Sequence, residues 1–195
     1  LKNEVSAEIA SILAFAAIKN NDKIGLVIFS DKIEHTIPPK KGKAHIWNII
    51  RTILNFKPEG KGTNLSLPLE YLLKFQKQKT TAFLISDFQS DDYEITLKQA
   101  KQKHDLVAIS ITDPREETLP DVGLIELEDA ESGETLLVDT HDKEMKKEYE
   151  NQFQKKRALR KTYFSSIGID TIEIHTNRSL TDPIIRYFKM REKKH

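Results

Sequence analysis

Three short runs in this chain are apolar on both faces: residues 23–29, 80–86 and 106–111. Strands of that kind need cover above and below, which is the condition of a parallel sheet wrapped in helices. The segments between them supply the cover. Val5, Ile9, Ile12, Leu13 and Ala16 share one helical face, and Ile46, Ile49, Ile50, Ile53 and Leu54 share another. Residues 65–76, with Pro68 tolerated in the first turn, and 93–103 read as two more helices. Asn20-Asn21-Asp22 ends the first helix. Ile33–Ile37 reads as an edge strand stopped by Pro38-Pro39. Alternation of strand and helix predicts an α/β fold: a doubly wound, mostly parallel, Rossmann-like sheet with helices on both faces.

Beyond residue 112 the character changes. Residues 123–127 and 134–138 predict a small hairpin across Ser132-Gly133, inside an acidic stretch, 113–140, inserted in the fold. A long basic helix over 142–166, a strand over 169–174 and a helix over 180–190 follow. Met145, Tyr149, Phe153 and Tyr163 are expected to form its buried stripe, and Trp47 to be core or half-buried. The simplest organisation is one domain, residues 1–195.

Composition narrows the function. Lys+Arg 31 against Asp+Glu 30 leaves a net charge of +1, so no general polyanion surface and no nucleic-acid partner are expected. Nine carboxylates between Asp113 and Glu134 face a surplus of lysine and arginine on helix 142–166, and pairing between the two is the expectation. The absence of cysteine removes disulfides, thiolate metal sites and thiol nucleophiles, and fits a cytoplasmic setting. No apolar run reaches the roughly 18 residues of a membrane span, so no membrane partner is expected in this segment. The six histidines have no His-x-x-x-His spacing, and no Gly-x-Gly-x-x-Gly, Walker or Gly-x-Ser-x-Gly motif follows any strand. Ser30-Asp31, Ser86-Asp87 and His141 contain the residue types of a hydrolase triad without its elbow.

Strand 80–86 ends on Asp87, and the preceding loop, Gly60-Lys61-Gly62-Thr63-Asn64-Leu65, offers a hydroxyl. Side chains at the carboxyl ends of parallel strands converge on one crevice. Thr63 and Asp87 are hard oxygen donors of the kind Mg²⁺ prefers. A turn hydroxyl and a carboxylate bonding loop amides would account for the same two residues.

The order of these elements, with Gly25-Leu26-Val27-Ile28-Phe29-Ser30, the Thr63 loop and the Asp87 strand end, resembles a von Willebrand factor A domain from its first helix onward. Asp113-Pro114-Arg115-Glu116, Leu119-Pro120-Asp121-Val122-Gly123 and the Glu128–Glu134 run are similar to the bacterial domain-of-unknown-function family 58. Members of that branch are often encoded beside MoxR-type AAA+ ATPases. The resemblance implies a protein-interaction module, not an enzyme, with Thr63 and Asp87 as metal ligands; Asn64 and Phe88 would border that crevice, as a partner-facing rim or as simple loop packing. It also implies an Asp-x-Ser-x-Ser loop on a preceding central strand, which these residues lack. Mg²⁺ is therefore expected to bind weakly or not at all. Upstream residues, or a neighbouring molecule, are expected to fill a gap beside strands 23–29 and 80–86, whose open edges invite self-association. The rival readings are a hydrolase or phosphotransferase using Asp87, and a structural domain with a degenerate metal site.

Overall fold

The computed structural model describes residues 2–60, 62–90, 92–128 and 135–193. Helix α1 (Lys2–Asn20) precedes strands β1 (Ile24–Phe29) and β2 (Ile33–Lys40) and helices α2 (Lys43–Asn55) and α3 (Ser66–Phe75). Strand β3 (Thr81–Ser86), helix α4 (Glu94–Lys103), strand β4 (Asp105–Thr112) and the short α5 (Pro114–Glu117) come next. Then follow the hairpin strands β5 (Leu124–Glu128) and β6 (Thr135–Asp139), helix α6 (Lys143–Ser166), strand β7 (Asp170–His175) and helix α7 (Thr181–Glu192). The predicted Ser132-Gly133 turn lies outside the described residues.

Strands β3, β4 and β7 form a parallel sheet in that order, with Ile85, Ile109 and Ile172 in one row. Its faces are sorted by the two-residue period of the strand. Leu84, Leu106 and Ala108 point to α3, α4 and α6, where Leu97 and Phe164 meet them. Val107, Ile109, Ile111, Ile172 and Ile174 point the other way, onto Val5 and Ile9 of α1 and Ile184 and Tyr187 of α7. Each such side chain contributes about 1.5–3 kcal/mol on burial. This part of the sheet has helices on both faces.

Strands β1 and β2 make a separate antiparallel pair, and β5 and β6 a third unit. No backbone ladder joins β1 to β3 among the described residues, so the sheet is split at the place where the sequence predicts a gap. Helices hold the halves together instead. Helix α1 places Val5 and Ile9 against β4 and β7, and Ala14 against α2, Leu26 and Ile37. Phe29 of β1 packs on the α3, α4 and α6 side of the core.

Two local expectations are corrected. Strand β2 does not stop at Pro38-Pro39 but runs to Lys40, opposite Ile24. Among the described residues it pairs with β1 alone. The register is irregular between Ile24 and Leu26, opposite the two prolines, where an edge strand tolerates missing N–H groups. Trp47 is 56% exposed. Ile46, Ile49, Ile50 and Ile53 form the buried face of α2, and Trp47 lies about 100° round from Ile46. On α6 the stripe is half-buried at Tyr149, Phe153 and Tyr163, with Met145 exposed and Phe164 fully buried. Among the described residues no helix is long and apolar enough to cross a membrane.

Candidate functional site at the carboxyl edge of the sheets

The loops after β1, β2–α2 and β3 meet at one edge. Ser66 Oγ donates to the carbonyl of Asp92 (3.0 Å), tying the start of α3 to the loop that follows Asp87. Leu65 and Phe88 share one core cluster. Thr63 and Asn64 precede Leu65 and Ser66 on this loop, and both are exposed. Asn64 Oδ1 accepts from the Ser66 amide (3.0 Å), a local turn that opens α3. No hydrogen bond joins the Thr63 and Asp87 side chains among the described residues.

Asp87 stands on a strained turn. Phe88 has φ 56, a left-handed conformation that a bulky side chain rarely adopts. Three contacts hold it. The Ser86 hydroxyl accepts from the Phe88 amide (3.1 Å), and Arg160 Nη1 donates to the carbonyls of Asp87 (2.9 Å) and Phe88 (3.3 Å). Arg160 Nη2 reaches the Ser110 hydroxyl on β4 (3.1 Å), and the guanidinium lies 5.8 Å from the Phe88 ring centre. Burial pulls the Arg160 pKa down, and Asp87 is among the charges that oppose this. The Phe88 ring itself is buried at 4% exposure, edge-on to Phe164, so it belongs to the core and not to a partner-facing rim. Sequence reading missed Arg160 because it is one basic residue among many on α6; only its helical spacing from Phe153 and Phe164 marks the inward face.

The Asp87 carboxylate is already engaged. Oδ2 takes Lys2 Nζ at 2.9 Å, and Oδ1 accepts from the Gln89 amide (3.2 Å). The same ammonium pairs with Glu116 Oε2 at 2.5 Å. Burial works against the Lys2 charge, but the hydrogen bonds it donates to Glu116 and Asp87 outweigh this and raise the pKa. At the end of β4, Asp113 is gripped by its neighbour, with Arg115 Nε and Nη2 on its two oxygens (3.1 and 2.7 Å). The Arg115 side chain, then its amide, lowers the Asp113 pKa to about 2.

The expected pairing of acidic stretch and basic helix is present. Lys146 meets Asp121 (3.1 Å), and Arg157 bridges Glu173 (2.5 Å) and Glu117 (3.5 Å). The Ser30, Ser86 and His141 set is not assembled: Ser86 caps Phe88, and His141 lies by Asp139 and Asp121 at the hairpin base.

A magnesium shell does not fit these residues as they stand. Its proposed carboxylate holds a lysine, and the described residues contain no group of three or more His, Asp or Glu side chains placed to hold a metal ion. Two open surface depressions lie elsewhere, one on α7 around Arg186 and one between His35, Arg51 and Phe56.

Comparisons place the chain among other proteins. It is 24% identical over 195 residues to the uncharacterized protein Mb1516 of Mycobacterium bovis, covering 98% of this chain and 61% of that one. It is 27% identical over 160 residues to the uncharacterized protein MAV169 of Mycobacterium avium, covering 80% and 94%. The chain thus spans about three-fifths of the first relative's length. Among solved structures it resembles the conserved hypothetical protein BatB from Bacteroides thetaiotaomicron, with TM-score 0.57, 12% identity and coverage of 97% and 87%. An aerotolerance-related membrane protein from Bacteroides fragilis follows at TM-score 0.50 and 11% identity, covering 95% and 88%. At such identities the likeness is one of fold. The model of the family described as "Protein of unknown function DUF58" matches residues 1–159, and the chain belongs to that family.

Proposed function

We propose that this chain is a protein-interaction domain of the von Willebrand factor A type that serves a MoxR-type AAA+ ATPase. Its docking face is the carboxyl edge carrying Thr63, Asn64 and Asp87. One observation carries this reading: Asp87 stands on a strained turn fastened by a half-buried arginine. Strain of this kind persists where surrounding structure over-determines it, and it clusters at functional sites. Metal assistance would need oxygen ligands beyond Thr63 and Asp87, so the docking face is read here through its protein groups alone.

The charge states beside Asp87 favour docking over catalysis. Lys2 is shifted toward staying protonated and Asp113 toward staying ionised. A general acid or base needs the opposite, a pKa moved toward neutrality. The split sheet has a place in the same reading. A further strand between β1 and β3 would pair both open edges; where none is supplied, those edges favour self-association, which light scattering over a concentration series reads.

The test is binding of the purified MoxR-type ATPase from the same organism, by interferometry, to the wild type and to Thr63→Ala and Asp87→Ala. Each substitution is expected to weaken binding about tenfold or more with circular dichroism unchanged. Wild-type binding that both variants retain, or no wild-type binding, would overturn the reading.

A further inference from the structure

The Thr63 loop is held by a carboxylate that the sequence does not advertise. Glu34, on β2, has a side chain only 3% exposed. A carboxylate so enclosed is stable only when donors surround it. Glu34 Oε1 accepts three hydrogen bonds: from the Ser30 hydroxyl (2.7 Å), the Gly60 amide (2.7 Å) and the Glu59 amide (3.2 Å). Lys32 adds charge from outside, 3.9 Å from Oε2, while pairing with Glu59 at 2.7 Å. The far end of the loop is tied to the same turn, because the Asn64 amide donates to the Ser30 carbonyl (2.9 Å). Gly60 seats against that turn so closely that a Cβ built on it would overlap Ser30 Oγ and Asp31 Oδ1.

We propose that Glu34 is the positioning residue of the docking face, fixing Glu59 and Gly60, and through them Thr63, onto the β1–β2 turn through the acceptor atom Oε1. This rests on the docking-face reading above. Thr63 has no side-chain anchor of its own among the described residues, so its place follows from the backbone clamped on either side. The charge of Glu34 is secondary. All three donors converge on one oxygen, which a glutamine can present equally well.

Hydrogen exchange read by mass spectrometry on peptides spanning 57–65 tests this, with peptides from β4 as the internal reference. Glu34→Ala is expected to speed exchange at Gly60 and Asn64 about tenfold or more while β4 keeps its protection. Glu34→Gln is expected to exchange as the wild type does. Unchanged exchange in Glu34→Ala, or equal loss in Glu34→Gln, would overturn the proposal. Should Glu34→Ala lose β4 protection as well, Gly60→Ala decides. It keeps Glu34 but pushes the loop off Ser30, and must open 57–65 with β4 intact; a closed loop there would overturn the clamp. Binding of the MoxR-type ATPase separates the two readings. An opened loop with unweakened binding leaves Glu34 as the clamp and removes Thr63 from the docking face.

Discussion

Strands β1 and β4 are nearly interchangeable as sequences, yet they end in different surroundings. Ile-Gly-Leu-Val-Ile-Phe and Leu-Val-Ala-Ile-Ser-Ile are both apolar on both faces. In β4 every residue from Leu106 to Thr112 is buried, and Val107 and Ile109 are inaccessible. In β1 no residue is fully buried. The difference is neighbours: among the described residues β4 has β3 and β7 beside it, whereas β1 has β2 alone. An apolar run states how much cover a strand requires, and the rest of the fold decides how much it receives.

The largest effect should separate these strands directly. Ile109→Ala is expected to cost about 2–5 kcal/mol in urea unfolding, as a cavity in a closed core does. Leu26→Ala, at a half-exposed site, should cost about 1–2 kcal/mol, since part of that side chain is already in water. Equal costs would break the comparison and mean that something covers β1 in solution.

A smaller effect probes the upper end of β4. Arg160→Met leaves the Asp87 and Phe88 carbonyls and the Ser110 hydroxyl without their donor. The expected loss is about 1–3 kcal/mol, with faster amide exchange confined to 86–89. Exchange that also rises across β1 would show that the two halves of the sheet unfold as one unit.

The smallest effect lies at the lower end, where His104 joins α4 to β4. His104 is 2% exposed, and neither ring nitrogen has a hydrogen-bond partner among the described residues. Burial first, then Lys103, lowers its pKa below the ordinary 6.5. The unfolded chain therefore takes up the proton first, so this group costs nothing above that pH and destabilises the fold progressively below it. Wild type should lose more stability than His104→Leu between pH 7.5 and 5.5 in paired urea titrations. Parallel pH profiles would place the ring in contact with water.

Much of the fold was legible because its signals are local. Helical spacing and strand alternation located the elements to within about two residues, except that β2 continues through its prolines to Lys40 and the short α5 was not foreseen. The pairing of the acidic stretch with α6 followed from opposite charge. Thr63, Asn64 and Asp87 could be picked out as a glycine-bounded loop and a strand end. The family was also visible, in motifs of a few adjacent residues.

What stayed hidden depends on residues far apart in the chain. Lys2 reaches Asp87 across 85 positions, and Arg160 reaches the same residue across 73. No local pattern distinguishes Arg160 from the other basic residues of α6, or Glu34 from any polar position on an edge strand. Phe88 looked like a rim residue because it follows a strand end, but its left-handed backbone turns the ring into the core. Residue pattern alone marks which segments are strands and helices and which faces need cover, because each of those depends on neighbours within two turns. Which carboxylate is clamped, which arginine is drawn inward and which strand stands open follow from packing the whole chain at once.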